Sequence, residues 1–158
     1  MLTTEQRDVI VKEAQSWIGT RYVGWSAIKG PRGGVDCGQL LYAVLRDTGH
    51  VPANVKLPTD YSLQISQHQA STAYIDIVRT YMREVPESEV LPGDVVIYKL
   101  GKAFAHGAFI IKWPDMVLHA IAHNGVTCAH GSKMPVFKRA EKLFFTLREE
   151  FCNSKELD

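Results

Sequence analysis

The amino-acid sequence predicts an α+β domain in which helices come first and a mainly antiparallel sheet follows. Hydrophobic residues recur at helical spacing in three segments before Pro86, and after the Pro-Gly-Asp turn at 92–94 the chain changes to short runs rich in β-branched and aromatic residues. Parallel strands would need helices between them, and none is predicted there. The 158 residues, 46% of them hydrophobic, suffice for one domain over 1–158, with a frayed tail expected over 153–158.

Three helices are predicted from spacing, caps and stop signals. The first follows Thr4 and stops at Gly19, and the glycine-rich stretch 19–35 favours a loop. The second has Asp36 as its N-cap and buries every third or fourth residue from Cys37 onward. The third covers 72–82 and ends before Pro86.

Five strands are predicted after the turn at 92–94. Each is a short run with high β-propensity, and turn residues separate the runs. They cover Val95–Leu100, Ala105–Lys112, Met116–Ile121, Val126–Ala129 and Leu143–Leu147. The segment Trp113-Pro114-Asp115 is expected to join the second and third as a hairpin.

Composition argues against several classes of partner. The net charge of +1 provides no general field for binding nucleic acid. The longest apolar run, Leu40 to Leu45, is far below the roughly 20 residues of a membrane helix. The first fifteen residues do not resemble a secretory signal, so we expect a chain that is cytoplasmic as synthesised. Three cysteines without a C-x-x-C pair favour a reduced compartment and a free thiol.

Cys37 is a candidate nucleophile because of its place just after a helix N-cap. Unpaired N–H groups and the positive end of the helix dipole favour a thiolate there, and the same N–H groups can bind the oxyanion that forms when a thiolate attacks a carbonyl. The position alone is also compatible with an ordinary buried cysteine.

Two histidines supply the imidazole that such a thiol needs. His106 opens one predicted strand and His119 lies inside the next, so hairpin pairing would bring the two rings together. His106 is then the base, and His119 is the preferred orienting group. His123 and Asn124, which follow in a predicted turn, remain alternatives for that third role.

A zinc site is the competing interpretation of the same region. Four candidate ligands lie close in sequence: His119, His123, Cys128 and His130. The first two are four residues apart on a strand-like run, which separates them by roughly 13 Å, too far to share one ion. No metal and no cofactor are therefore predicted.

Four separated motifs resemble those of the NlpC-type cell-wall cysteine peptidases, in the order found in that family. They are Tyr22 with the glycine-rich loop and Asp36-Cys37-Gly38; Leu91-Pro92-Gly93-Asp94-Val95-Val96; His106-Gly107-Ala108-Phe109-Ile110; and Leu118-His119-Ala120 with Gly125-Val126. The resemblance covers about residues 10–129. It departs from the family at Gly38-Gln39, where members usually have Ser then Gly.

The resemblance implies a papain-like α+β fold with N-terminal helices on a five- or six-stranded sheet. It also implies Cys37 as nucleophile, His106 as general base and acid, and His119 as the orienting member. Tyr22, Asp36 and Gly38 would then serve oxyanion or substrate binding.

For function, the resemblance implies hydrolysis of amide bonds in murein stem peptides, typically between D-glutamate and a diamino acid. The short Asp-Cys-Gly form is similar to a phage-tail branch of the family, so phage-tail proteins are expected partners and a virion is an alternative location. A non-catalytic phage-tail or wall-binding module that retains the fold is the alternative function.

Overall fold

The structure, a computed structural model, describes residues 1–57 and 72–153. The elements in chain order are α1 Thr4–Ser16, β1 Ala27–Ile28, β2 Gly34–Val35, α2 Cys37–Asp47, α3 Ala73–Tyr81, β3 Met82–Val85, β4 Val95–Leu100, β5 Ala103–Lys112, β6 Met116–Ile121, β7 Gly125–Ala129, α4 Pro135–Lys138 and β8 Lys142–Leu147. Helices pack on a six-stranded antiparallel sheet with the strand order β3-β8-β4-β5-β6-β7. Two 3-10 turns cover Glu87–Glu89 and Glu149–Phe151.

The α+β class, the three helices and the five strands are confirmed. Two local predictions were wrong. Met82 begins β3 instead of ending a helix, because it pairs with Leu147 of β8 far along the chain. The loop 19–35 contains the short β1–β2 ladder, in which Ala27 pairs with Val35 and Ile28 pairs with Gly34. The predicted frayed tail lies outside the described residues from 154 onward.

The main sheet has one hydrophobic cluster on each face. On the first face, Ile97, Phe109 and Leu118 pack with the side chains of α1, α2 and α3. On the second face, Tyr98 and Ala108 pack with Phe137 of α4. Because side chains alternate along a strand, neighbouring residues of β5 belong to different clusters.

Asp94, which follows the Pro-Gly turn, is a structural carboxylate. It is 1% exposed and accepts hydrogen bonds from the Leu91 N–H at 2.9 Å, from the Thr146 hydroxyl at 2.7 Å and from Arg7 of α1 at 2.8 Å. The ion pair therefore fastens α1 to the sheet.

Within residues 1–57 and 72–153, no helix combines the length and the apolar character that crossing a bilayer requires.

Candidate active site

The start of α2 is fixed by the side chain of Asp36. One carboxylate oxygen accepts from the Gln39 N–H at 2.8 Å, and the other accepts from the Trp25 N–H at 2.6 Å. Trp25 has a φ of 60° and is 58% exposed, so the carboxylate holds this loop residue in the left-handed region. Asp36 thus places Cys37 in the first turn of the helix, as the sequence predicts.

The sulfur of Cys37 lies against the backbone of β5. Its thiol donates to the Ala105 carbonyl at 3.5 Å, and the N–H groups of Gly107 and Gly38 are directed at it. Ala105 is the extra residue of a β-bulge, since Tyr98 pairs with His106 while Lys99 pairs with Phe104. The bulge therefore leaves a carbonyl beside the thiol.

His106 is the residue between the two that contact the sulfur. β5 pairs with β6 only from Phe109 onward, where Phe109 faces Leu118. The part of β5 beside Cys37 comes before this pair, and its backbone is not paired with β6. The His106 side chain belongs to the second face of the sheet, where its ring centroid lies 6.2 Å from that of Tyr98 and 5.7 Å from that of Phe137. The sulfur thus lies next to the backbone of His106, and no hydrogen bond joins it to the imidazole of that residue.

The two imidazoles meet across β5 and β6. Nε2 of His106 lies 2.9 Å from Nδ1 of His119, and the ring planes are 86° apart. This contact leaves Nδ1 as the second titratable nitrogen of His106. His123, in contrast, lies in the β6–β7 turn with a φ of 72°. Of the alternatives for the third position, His119 is the one that the structure places against His106.

Burial keeps the imidazoles neutral. His106 is 4% exposed and His119 is 0% exposed, and Phe137 lies edge-on to the second ring at 5.3 Å. Burial lowers the pKa of His106 to about 3, with a further contribution from His119, and it lowers the pKa of His119 to about 4. Nε2 of His119 is buried and has no hydrogen-bond partner among the described residues.

The expectation of a resting thiolate at Cys37 was wrong. The side chain is 1% exposed, and burial, followed by the charge of Asp36, raises the pKa of the thiol to about 12. The N–H groups of Gly107, Gly38 and Cys37 itself act in the opposite direction but are outweighed. Desolvation in a closed site therefore exceeds the effect of the helix terminus.

The remaining predicted site residues surround the nucleophile in different ways. The Gly38 N–H points at the sulfur. Tyr22 is half-buried, forms a parallel bridge with Val35 and packs against the cluster that contains Cys37. Asp36 directs its carboxylate to backbone N–H groups, which is the role of a cap.

Three residues of this site were not predicted from the sequence. Phe137 provides the apolar floor beneath both imidazoles, and it comes from the one-turn helix α4. Ala105 and Gly107 contact the sulfur through their backbones. Only Gly107 carried a signal, because a glycine inside a strand indicates close approach of another group.

The four residues considered as zinc ligands do not come together. Cys128 pairs with Leu118 and His119 pairs with Thr127, so these two side chains lie on opposite faces of the sheet. Nδ1 of His130 accepts hydrogen bonds from the N–H groups of Ser132 and Lys133, both at 3.1 Å. In the described part of the chain, no three His, Cys, Asp or Glu residues are grouped to hold a metal ion.

Comparison with known proteins gives structural likeness at low sequence identity. No family model matches the chain, and no curated protein matches it. The crystal structure of the NlpC/p60 domain of the peptidoglycan hydrolase SagA superposes with a TM-score of 0.56 at 17% identity, covering 87% of this chain and 96% of that one. The P60 domain of an antigen of M. avium subspecies paratuberculosis gives 0.55 at 16% identity, covering 93% and 96%.

A longer protein shares the same fold over part of its length. An NlpC/P60 family protein from Bacillus cereus gives a TM-score of 0.56 at 16% identity over 87% of this chain, which spans only 39% of that protein. Helices on a six-stranded antiparallel sheet are therefore arranged as in these solved structures. The chain has the papain-like fold of the NlpC/P60 proteins.

Proposed function

We propose that this protein is a cysteine hydrolase of amide bonds, with Cys37 as the nucleophile, His106 as general base and acid, and His119 as the group that orients His106. The observation that carries the proposal is the 2.9 Å contact between the imidazoles on β5 and β6. The Cys37 thiol donates to the carbonyl of Ala105, the residue that precedes His106 on β5. The likeness to NlpC/P60 proteins supports the same assignment.

The reaction starts from a neutral Cys37 thiol and a neutral His106 imidazole, because both groups are buried. The proposed reaction requires Nδ1 of His106 to come within hydrogen-bond reach of the sulfur, a contact that the resting structure does not make. The thiol of Cys37 then gives its proton to His106 as the sulfur attacks the carbonyl carbon, and the N–H groups at the start of α2 receive the oxyanion. His106 then gives that proton to the leaving amine, which breaks the C–N bond. Water hydrolyses the resulting thioester, and its proton passes through the same imidazole back to the sulfur. Throughout, Nδ1 of His119 accepts from Nε2–H of His106 and so fixes the ring.

The proposed substrate class is the murein stem peptide. It is supported by the motif resemblance and by the SagA domain, a peptidoglycan hydrolase domain of nearly the same extent. Association with phage-tail proteins is part of the proposal, in keeping with the short Asp36-Cys37-Gly38 form.

A non-catalytic module is the second candidate, and one observation favours it. The three side chains are at most 4% exposed, so the resting structure admits no substrate to the sulfur without movement. The two candidates differ in whether Cys37 matters for turnover.

The decisive experiment incubates the protein with purified murein fragments and identifies the new termini by mass spectrometry. Cys37→Ala should lower turnover by at least about 10³-fold, because it removes the nucleophile, and should leave the fold intact. Cys128→Ala is the matched control, since that thiol is exposed and outside the site, and it should keep full activity. Full activity in Cys37→Ala would overturn the proposal.

His119→Ala tests the orienting role. The nucleophile and the base remain, so we expect a smaller loss than in Cys37→Ala, and we expect it in kcat more than in KM. His119→Asn, which retains an acceptor for Nε2–H of His106, should recover part of the rate. Equal losses in both variants would show that His119 is not the acceptor.

A further inference from the structure

The segment 132–139, which contains α4, makes hydrogen bonds only with its neighbours in the chain. Two N–H groups at its start donate to Nδ1 of His130, and two within α4 donate to the Met134 carbonyl. For the part of the chain that the structure describes, no hydrogen bond or ion pair links 132–139 to a residue outside 130–140. The segment is therefore not tied to any strand by polar contacts of its own.

Both ends of this segment are held in place. Before it, the Gly131 N–H donates to the Pro114 carbonyl at 2.8 Å, and the Gly131 carbonyl accepts from the Tyr98 hydroxyl at 2.7 Å. After it, the Ala140 carbonyl accepts from Nζ of Lys142 at 3.0 Å. The residues between these points thus form a flap with two fixed ends.

One side chain holds the flap against the sheet. Phe137 is 0% exposed and is the only fully buried residue of 132–139. Its ring stacks on that of Tyr98 at 3.9 Å, and the ring centroids of His106 and His119 lie 5.7 and 5.3 Å from its own. Because few other contacts resist local opening, the burial of this ring decides how often the flap is open.

The ring of Phe137 also shields the imidazole pair from water. Burial is the main cause of the lowered pKa of His106 and of His119, and the one charge that adds to it is that of His119 acting on His106. The titratable side chains on the elements around the pair are those of Tyr98, Lys142, Cys37 and Lys138. None of these four contributes to the pKa of either histidine. Loss of the apolar cover should therefore raise both pKa values towards the ordinary one.

The resting structure keeps the proposed catalytic groups closed and apart. Cys37, His106 and His119 are at most 4% exposed, and no hydrogen bond joins the sulfur to His106. A movement must therefore precede the proposed reaction. Opening the flap breaks no hydrogen bond to another element, whereas moving β4 or β6 would break the ladders that pair them with β5.

We propose that the segment 132–139 is a flap that opens over the imidazole pair, and that Phe137 is the positioning residue that holds it closed. The inference rests on the proposed function for its meaning in catalysis. When the flap is open, the leaving amine can reach His106, and the imidazole has room to turn towards the sulfur of Cys37. When the flap is closed, the pair is packed and neutral.

Hydrogen exchange in the unmodified protein tests whether the flap opens on its own. The amides of 132–139 should exchange at least about tenfold faster than those of β5, and their rates should not depend on urea at low concentration, as for a local opening. Exchange of 132–139 at the rate of the β5 amides would show that the segment opens only when the whole fold does. That result would overturn the flap.

Carbethoxylation by diethyl pyrocarbonate, followed by peptide mapping, tests the role of Phe137. Phe137→Leu should raise the modification rates of His106 and His119 at least about fivefold, because the smaller side chain holds the flap less tightly. Phe144→Leu is the matched control, since Phe144 belongs to the same hydrophobic cluster and its ring contact is with Trp113 at 4.9 Å. Equal rates in the two variants would overturn the positioning role.

A pH profile gives a readout that a loss of stability alone would not move. In an NMR titration, both imidazoles should have a higher pKa in Phe137→Leu than in Phe144→Leu. The acid limb of kcat/KM for murein fragments should move to higher pH by the same amount, because His106 must be neutral to act as the base. Identical profiles in the two variants would contradict the proposal.

The failure of this inference and that of the proposed function are distinguishable. Hydrogen exchange, carbethoxylation and the NMR titration need no turnover, so they decide on the flap whatever the activity of Cys37→Ala. Full activity in Cys37→Ala would refute the nucleophile alone. Urea denaturation confirms that both phenylalanine variants are folded, and hydrogen exchange in the unmodified protein does not depend on either of them.

Discussion

At the scale of single residues, the ionisation of Cys37 is decided by competing neighbours. The helix start offers N–H groups, whereas burial and the carboxylate of Asp36 oppose a thiolate, and the latter two prevail. Asp36 is nevertheless indispensable locally, since its two oxygens cap α2 and hold Trp25. The Asp36 side chain thus positions Cys37 and adds to the effect of burial in keeping its thiol protonated.

Asp36→Asn separates these two roles. Asparagine still caps the helix through its carbonyl oxygen, but it removes the charge, so the pKa of the Cys37 thiol should fall. The amide would also lose the bond to Trp25, because two N–H donors would face each other. The measurement is the pH dependence of iodoacetamide modification at Cys37, followed by peptide mapping. Asp47→Asn, whose carboxylate pairs with Arg46 on the surface, is the control; an unchanged profile in Asp36→Asn would contradict the assignment.

At the scale of elements, the approach of α2 and α3 to β5 depends on Gly107. A Cβ at this position would lie 2.5 Å from Cδ1 of Leu41 and 2.5 Å from the Tyr74 hydroxyl. The absence of a side chain therefore lets both helices pack directly on the strand that carries the sulfur's partners.

Gly107→Ala should push these elements apart. We expect a loss of about 1–3 kcal/mol in the free energy of unfolding, as for other overpacked cores. Catalysis should fall as well, because the N–H of residue 107 is directed at the sulfur. Gly24→Ala is the control, since its Cβ would meet no atom within 4 Å. Urea denaturation of both variants checks this, and equal stabilities would contradict the packing.

Sequence patterns located the elements whose cause is local. Asp36 marked the start of α2 by its capping chemistry, and high β-propensity between turn residues marked β4 and β6 to the residue. β3 was not predicted, because Met82 continues the helical spacing of hydrophobic residues. It becomes a strand residue only through its pairing with Leu147, far along the chain. The β1–β2 ladder was not predicted, because two-residue strands among glycines are too short to show a hydrophobic periodicity.

The candidate site was predictable in part for the same reason. Cys37, His106 and His119 stood out because their chemistry and order are visible in the chain. The bulge at Ala105, the floor formed by Phe137 and the closure of the site arise from tertiary packing. Since the sign of a pKa shift depends on that closure, the sequence pointed to a thiolate where the fold keeps a thiol.

At the scale of the whole molecule, the imidazole pair is part of a hydrophobic core. His106 and His119 lie on the second face of the sheet with Tyr98 and Phe137, whose rings stack at 3.9 Å. The two histidines proposed to act in catalysis therefore also belong to a cluster that stabilises the fold.

Acid should destabilise the protein through these two histidines. Their pKa values are lowered to about 3 and 4, so between pH 6.5 and 4 the unfolded chain binds more protons than the native one, and stability falls as pH falls. Each contributes up to about 1.4 kcal/mol per pH unit. Urea denaturation from pH 7 to 5 should show a shallower slope for His119→Asn than for the unmodified protein, whereas Gly24→Ala, which changes no titratable group, should leave the slope unchanged. Identical slopes in all three would contradict this source of acid sensitivity.

The closed setting of the sulfur also bears on how the protein withstands oxidants. Peroxide attacks thiolates that it can reach, and the sulfur of Cys37 is both protonated and shielded from water. Cys128 on β7 is exposed. Under oxidative stress, sulfenic acid would therefore form first on the exposed Cys128, while the buried sulfur of the proposed nucleophile is spared.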